Sequence, residues 1–112
     1  MVQYQEQLDR TFAALSDPTR RGILERLGQG NATISELAEP FGISLTGLKK
    51  HVQVLEDADL VRTEKVGRTR HCSLGPQRLD EVQSWIVGYR LMLEERMDRL
   101  GEFLRQTKGQ TA

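Results

Sequence analysis

Between residues 33 and 58 the chain carries two helix-opening signals separated by a stretch that no regular helix can cross. "TISE" is a capping box. Thr33 can accept from the backbone at Glu36, and the Glu36 side chain can reach back to the cap. The short helix it opens carries Ile34, Leu37 and Ala38 and is limited by Pro40 and Gly42. Ser44 then reads as a second N-cap, with Ile43 and Leu48 at the positions of a hydrophobic staple. A further helix is expected over about 45–58. A short helix, a tight turn and a second helix together spell a helix-turn-helix over about 33–58.

The flanks fit that core. Tyr4, Leu8, Phe12 and Leu15 recur at helical spacing over 4–15. "SDPTRRGILERLGQG" reads as a second helix. Asp17 or Ser16 would cap it, Pro18 suits its first position, and Gly28 or Gly30 would end it. Ile23, Leu24 and Leu27 form its apolar stripe. Beyond residue 58, "LVRTEKV" and "TRHCSL" are extended runs separated by Gly67-Arg68, a glycine-first pair suited to a type II′ hairpin turn. From Gln77 to about Arg105 a long helix places Leu79, Val82, Ile86, Tyr89, Leu93, Leu100 and Leu104 near one stripe. The expected fold is mainly α (α+β), a winged helix-turn-helix in the order α-α-α-α-β-β-α, with the wing at about 60–74. One domain over 1–107 is expected, with a frayed polar tail at 108–112.

On the helix at 45–58, Leu48, Val52 and Leu55 share one side. Thr46, Lys50 and Gln53 share the other, with Lys49 flanking them near the helix start, where a recognition helix meets base edges. Lysine can donate to guanine O6 and N7 or neutralise a phosphate. Glutamine can pair with adenine, and the threonine methyl can touch the thymine methyl. Gly47 costs about 1 kcal/mol of helix propensity against alanine. It fits equally a cleared space beside DNA and drift at an exposed position. Two lysines alone would be a solvated face; the capped helix, turn and basic hairpin around them favour DNA. Arg68 at the hairpin tip, with Lys65 and Arg70, suits the phosphate backbone or minor groove and should add affinity more than sequence choice. Ser44 and His51 complete the expected DNA-facing set. His51 has two readings, a phosphate contact or packing against the hairpin, of which packing is preferred.

Charge supports this only when divided. Lys plus Arg and Asp plus Glu are 16 each in the 112 residues. Residues 43–71 hold 6 basic and 4 acidic side chains, net +2, against 4 and 6, net −2, for residues 1–42. The single cysteine, Cys72, excludes an internal disulfide framework and a CxxC zinc site and suits a reducing cytoplasm. No apolar run approaches membrane-spanning length, and the first residues carry no signal-peptide core. The expected location is the cytoplasm. No nucleophile–base–orienter set and no phosphate-cradling glycine loop is present, so an enzyme is not expected. His71 and Cys72 are adjacent and in a strand point to opposite faces, so they cannot chelate. Cys72 is expected to be small and buried.

"LSDPTRRGILERL", "TISELAEPFGISLTGLKKHVQVLEDADLV" and "KVGRTRHCSL" resemble the ArsR-type winged-helix transcriptional repressors, closely over residues 8–75 and more loosely in the final helix. The resemblance implies a homodimer built from the first and last helices (about 2–15 and 77–105), palindromic double-stranded operators, and repression. Metal-sensing members carry Cys-x-Cys in the third helix, where this chain reads "ISELAEP", or histidine ligands on the last helix, which here has none. Metal sensing is therefore not carried over, and no cofactor is expected.

Trp85, Tyr89, Met92 and Met97 could line an effector pocket or a dimer seam, and the seam is preferred. The expected interface is Leu8, Phe12, Val82, Trp85, Ile86, Tyr89, Leu93, Met97 and Leu100. Any small-molecule effector is unknown from sequence. Two alternatives stand beside the repressor: a ligand- or redox-responsive sensor on the same fold, and a protein-interaction module that has lost DNA binding.

Overall fold

In the computed structural model, which describes the backbone of residues 2–111 and the side chains of residues 5–107, three helices start where their caps put them. Helix α1 is Val2–Leu15. Helix α2, Pro18–Leu27, opens with Pro18 behind Asp17, whose carboxylate accepts from Arg20 N–H at 3.1 Å. Helix α3, Ile34–Ala38, has both halves of the capping box: Glu36 N–H to Thr33 Oγ1 at 3.2 Å and Thr33 N–H to Glu36 Oε1 at 3.0 Å. A single 3-10 turn, Glu39–Phe41, follows. Gly42 then takes φ 63°, which any side chain would strain. Helix α4, Leu45–Asp57, is capped by Ser44, whose hydroxyl accepts from Gly47 N–H at 3.0 Å.

The end of α4 is a Schellman closure without glycine. Leu60 N–H reaches Leu55 O and Asp59 N–H reaches Glu56 O, both at 2.9 Å, with Asp59 at φ 60°. Strands β2 (Val61–Val66) and β3 (Thr69–Leu74) pair antiparallel about Gly67-Arg68. Gly67 has φ 64° and Arg68 does not, the sign pattern of the expected glycine-first turn. Helix α5 is Asp80–Thr111.

Two features depart from the sequence expectation. A two-residue strand, β1 (Ala32–Thr33), precedes α3 and pairs with β3, giving a three-stranded antiparallel sheet in the order β1-β3-β2. The last helix begins at Asp80, not Gln77. Leu79 lies in the left-handed region (φ 64°), its N–H held by Gln77 Oε1 at 2.9 Å and its side chain packed on the core. A right-handed helix cannot run through that residue. The helical backbone continues to Thr111, past the expected end near Arg105. The side chains of the tail expected to fray, 108–112, and that of Tyr4 lie outside the described residues.

The chain forms two compact units, one ending at Leu79 and the other being α5. In the first, the core joins Ile23 and Leu27 of α2, Ile34, Leu37 and Ala38 of α3, Leu48, Val52 and Leu55 of α4, and Val61 and Cys72 of the sheet. These are the helical stripes expected from spacing, with Leu24 only partly buried. Helix α1 differs: Ala14 and Thr11 are its most buried side chains, while Phe12 is 36% exposed.

Candidate nucleic-acid interface

Burying Leu48, Val52 and Leu55 leaves Thr46, Lys49, Lys50 and Gln53 on the exposed side of α4. The wing follows the strand alternation. Thr63 pairs with Cys72 and Lys65 with Arg70, so these four side chains share one face of the hairpin. Cys72, fully buried, marks that face as the inner one, and exposed Glu64 and His71 pair on the other.

The tip and inner face of the wing, the start of α4 and the start of α3 enclose a groove of about 380 Å³, lined by Thr33, Ile34, Ser35, Leu45, Lys49, Lys65, Arg68, Thr69 and Arg70. Four of these residues are cationic and none is acidic. Lys65 directly opposite Arg70 is a like-charge pair that costs stability unless an anion lies between them. An adjoining concavity of about 330 Å³ shares Ile34, Lys49 and Arg70 and adds Val52, Gln53, Glu56 and Thr63.

The structure thus gathers Lys49, Lys65, Arg68 and Arg70, with Gln53 next to them. Gln53 Nε2 is held by Asp57 Oδ1 at 2.8 Å. Thr46 and Lys50 are exposed outside the groove. Ser44 spends its hydroxyl on the helix cap. Gly47 lies under that cap: a Cβ there would stand 3.3 Å from Ser44 Oγ, so the local geometry adds a third reason for the glycine.

His51 turns to α2 rather than to the hairpin. Its Nδ1 lies 3.2 Å from Arg20 Nη1 and 3.9 Å from Asp17 Oδ2. Arg20 also donates to the Ala13 and Ala14 carbonyls at 2.8 Å each, tying the end of α1 to the start of α2 and to α4. The Arg20 backbone N–H and the nearby His51 hold the Asp17 carboxyl below its ordinary range. Thr33 does the same for Glu36, through its backbone N–H and then its hydroxyl. Burial pushes the Cys72 thiol up to about 11. Sequence reasoning did not pick out Thr33, Ile34, Ser35, Leu45 and Thr69 as groove-lining residues. Only the position of Thr69 next to the hairpin tip could have signalled it.

Of the residues expected at a seam, Leu8 and Val82 are buried within the chain. Trp85, Ile86, Tyr89, Leu93, Met97 and Leu100 are 43–69% exposed on α5. The Trp85 and Tyr89 rings stack at 5.4 Å. Among the described residues, no group of three or more His, Cys, Asp or Glu side chains is placed to hold a metal ion, and no helix is long and apolar enough to cross a membrane.

Comparison with known proteins agrees with this geometry. A family model described as a helix-turn-helix domain matches residues 15–64, which run from the end of α1 into β2. The transcriptional repressor SdpR of Bacillus subtilis is 32% identical over 82 residues, covering 73% of this chain and 91% of its own. A crystal structure of an ArsR family transcriptional regulator is 43% identical, covers 80% of this chain and 93% of its own, and superposes with a TM-score of 0.74. A homodimeric winged helix-turn-helix DNA-binding domain from Mycobacterium bovis, at 22% identity and 85% coverage of both chains, shares the fold with a TM-score of 0.61. With its capped recognition helix and basic wing, the chain belongs to the ArsR-type winged helix-turn-helix family and is a DNA-binding transcriptional regulator.

Proposed function

We propose that the protein is a homodimeric repressor of a palindromic operator. The observation that carries this reading is the convergence of Lys49, Lys65, Arg68 and Arg70 on one groove beside the recognition helix with no acid in its lining. Residues 1–107 act as one DNA-binding domain. Thr46, Lys50 and Gln53 read base edges in the major groove, with Gly47 leaving room beside them. Lys49, Lys65, Arg68 and Arg70 hold phosphates, and Ser44 and His51 fix the helix that carries the readers. Helix α5, with α1, forms the seam with a second copy, for which the exposed Trp85, Tyr89, Leu93 and Leu100 supply an apolar face; the Mycobacterium bovis domain of the same fold is itself homodimeric. Two recognition helices then enter successive major grooves about 34 Å apart. The protein works in the cytoplasm by binding and performs no catalysis.

Fluorescence anisotropy tests this on duplex DNA from upstream of its own gene, with a scrambled duplex as control, across a salt series. The expected result is selective binding to the upstream duplex that weakens steeply with salt. Weak binding that is equal on both duplexes and indifferent to salt would overturn the reading.

A further inference from the structure

Arg70 does not stand freely in its groove. Its Nη1 donates to Thr63 Oγ1 at 2.8 Å, and Thr63 Oγ1 donates to Glu56 Oε2 at 2.9 Å. The direction is fixed by chemistry: a guanidinium only donates, an ionised carboxylate only accepts, and a hydroxyl does one of each. The relay therefore runs from the wing through β2 to the last turns of α4. Thr63 and Arg70 meet because they are diagonal neighbours on the inner face of the hairpin. Glu56 meets them because it lies one helical turn beyond the buried Val52. Around Arg70 the other charged groove residues, Lys49, Lys65 and Arg68, are all cations that push it outward. Glu56 is the one acid lining the adjoining concavity.

We infer that Glu56 and Thr63 are positioning residues for DNA binding. They hold the Arg70 guanidinium at the mouth of the groove, at a set distance from the recognition helix, so that helix and wing meet one DNA backbone in register. This rests on the reading that Arg70 contacts phosphate. It reverses the simple electrostatic expectation for Glu56. An acid beside a DNA-binding groove should repel DNA and its removal should tighten binding, whereas a positioning acid weakens binding when it is removed.

The test is a double-mutant cycle on the full chain, read by anisotropy on the upstream and scrambled duplexes across a salt series, with thermal melts to confirm folding. Thr63→Val keeps shape, charge and strand preference and replaces the hydroxyl with a methyl group. It is expected to weaken binding about three- to tenfold, and Thr63→Ser to restore it to within about twofold. Glu56→Ala should weaken binding in the same range despite making the protein more positive. In an Arg70→Ala background neither change should weaken binding further, and Glu56→Ala should show only the relief of its repulsion. If Arg70→Ala weakens binding but Thr63→Val and Glu56→Ala do not, the positioning role fails and the phosphate contact stands. If Thr63→Val costs as much without Arg70 as with it, its effect is structural and the relay is overturned. If Arg70→Ala leaves affinity and salt slope unchanged, both readings fall.

Discussion

Lys49 and Lys50 are neighbours in sequence but face different surroundings. Lys49 lines the groove with three wing cations; Lys50 stands outside it on the exposed side of α4. Lys49→Ala should weaken binding to specific and scrambled duplexes alike and lower the salt slope by about 1. Lys50→Ala should cost about 1–3 kcal/mol on the operator only. Competition anisotropy with both duplexes separates the two, and equal losses for Lys50→Ala on both would make it a second phosphate contact. Cys72 gives a second prediction at this scale. Its folded thiol titrates at about 11 against 9.0 for an unperturbed one. The stability due to the neutral thiol is therefore complete below about pH 9 and is lost as pH rises toward 11. Iodoacetamide at pH 8 should label Cys72 only as fast as the protein opens, and labelling at the rate of an exposed cysteine would contradict the burial. What sequence revealed about single residues followed the range of the interaction. The Thr33–Glu36 box and the opposite facing of His71 and Cys72 need only neighbours and were legible. His51 was not, because its partner Arg20 lies 31 residues upstream.

Elements marked by a period, a cap or a tight turn were legible for the same reason, the β2–β3 hairpin among them, and those without were not. Helices α2, α3 and α4 announce themselves by cap and stripe. Strand β1 is two residues long, and what makes it a strand is β3, some forty residues later in the chain. The start of α5 was misplaced because "Gly-Pro-Gln-Arg-Leu" gives no sign that Leu79 adopts a left-handed conformation. The close of α4 is a related case, since Asp59 takes the left-handed position that glycine usually fills. Asp59→Gly should relieve that strain without disturbing the two backbone bonds that close the helix. The expected gain is about 0.5–1 kcal/mol, after the larger chain entropy of glycine is subtracted. Urea midpoints at one fixed protein concentration would show it, and a loss of stability would mean that the Asp59 side chain contributes more than its backbone costs.

At the scale of the molecule, α5 is the part whose sequence and structure point furthest beyond a single chain. Two of its ion pairs are local, Arg90 with Glu94 at 3.3 Å and Arg105 with Glu102 at 3.0 Å, exposed pairs worth roughly a few tenths of a kcal/mol each. They give the helix solubility and little cohesion. Among the described residues, eleven large apolar side chains on the same helix are 43–69% exposed, and a contiguous exposed apolar surface marks an interaction site. Most of them, from Trp85 through Tyr89, Leu93 and Leu100 to Leu104, follow one stripe, which a second copy of the same helix can cover isologously. Leu93→Glu places a charge in that stripe at a residue that is half-exposed in the single chain, so the fold of the protomer should survive. Sedimentation should show the native protein at twice the protomer mass and the variant at the protomer mass. The variant should also lose most of its operator affinity while keeping weak, salt-dependent binding, because each recognition helix then meets its half-site alone. A variant that remains a dimer would remove α5 from the seam. A monomer with undiminished operator affinity would show that one winged helix suffices and that the operator need not be a palindrome.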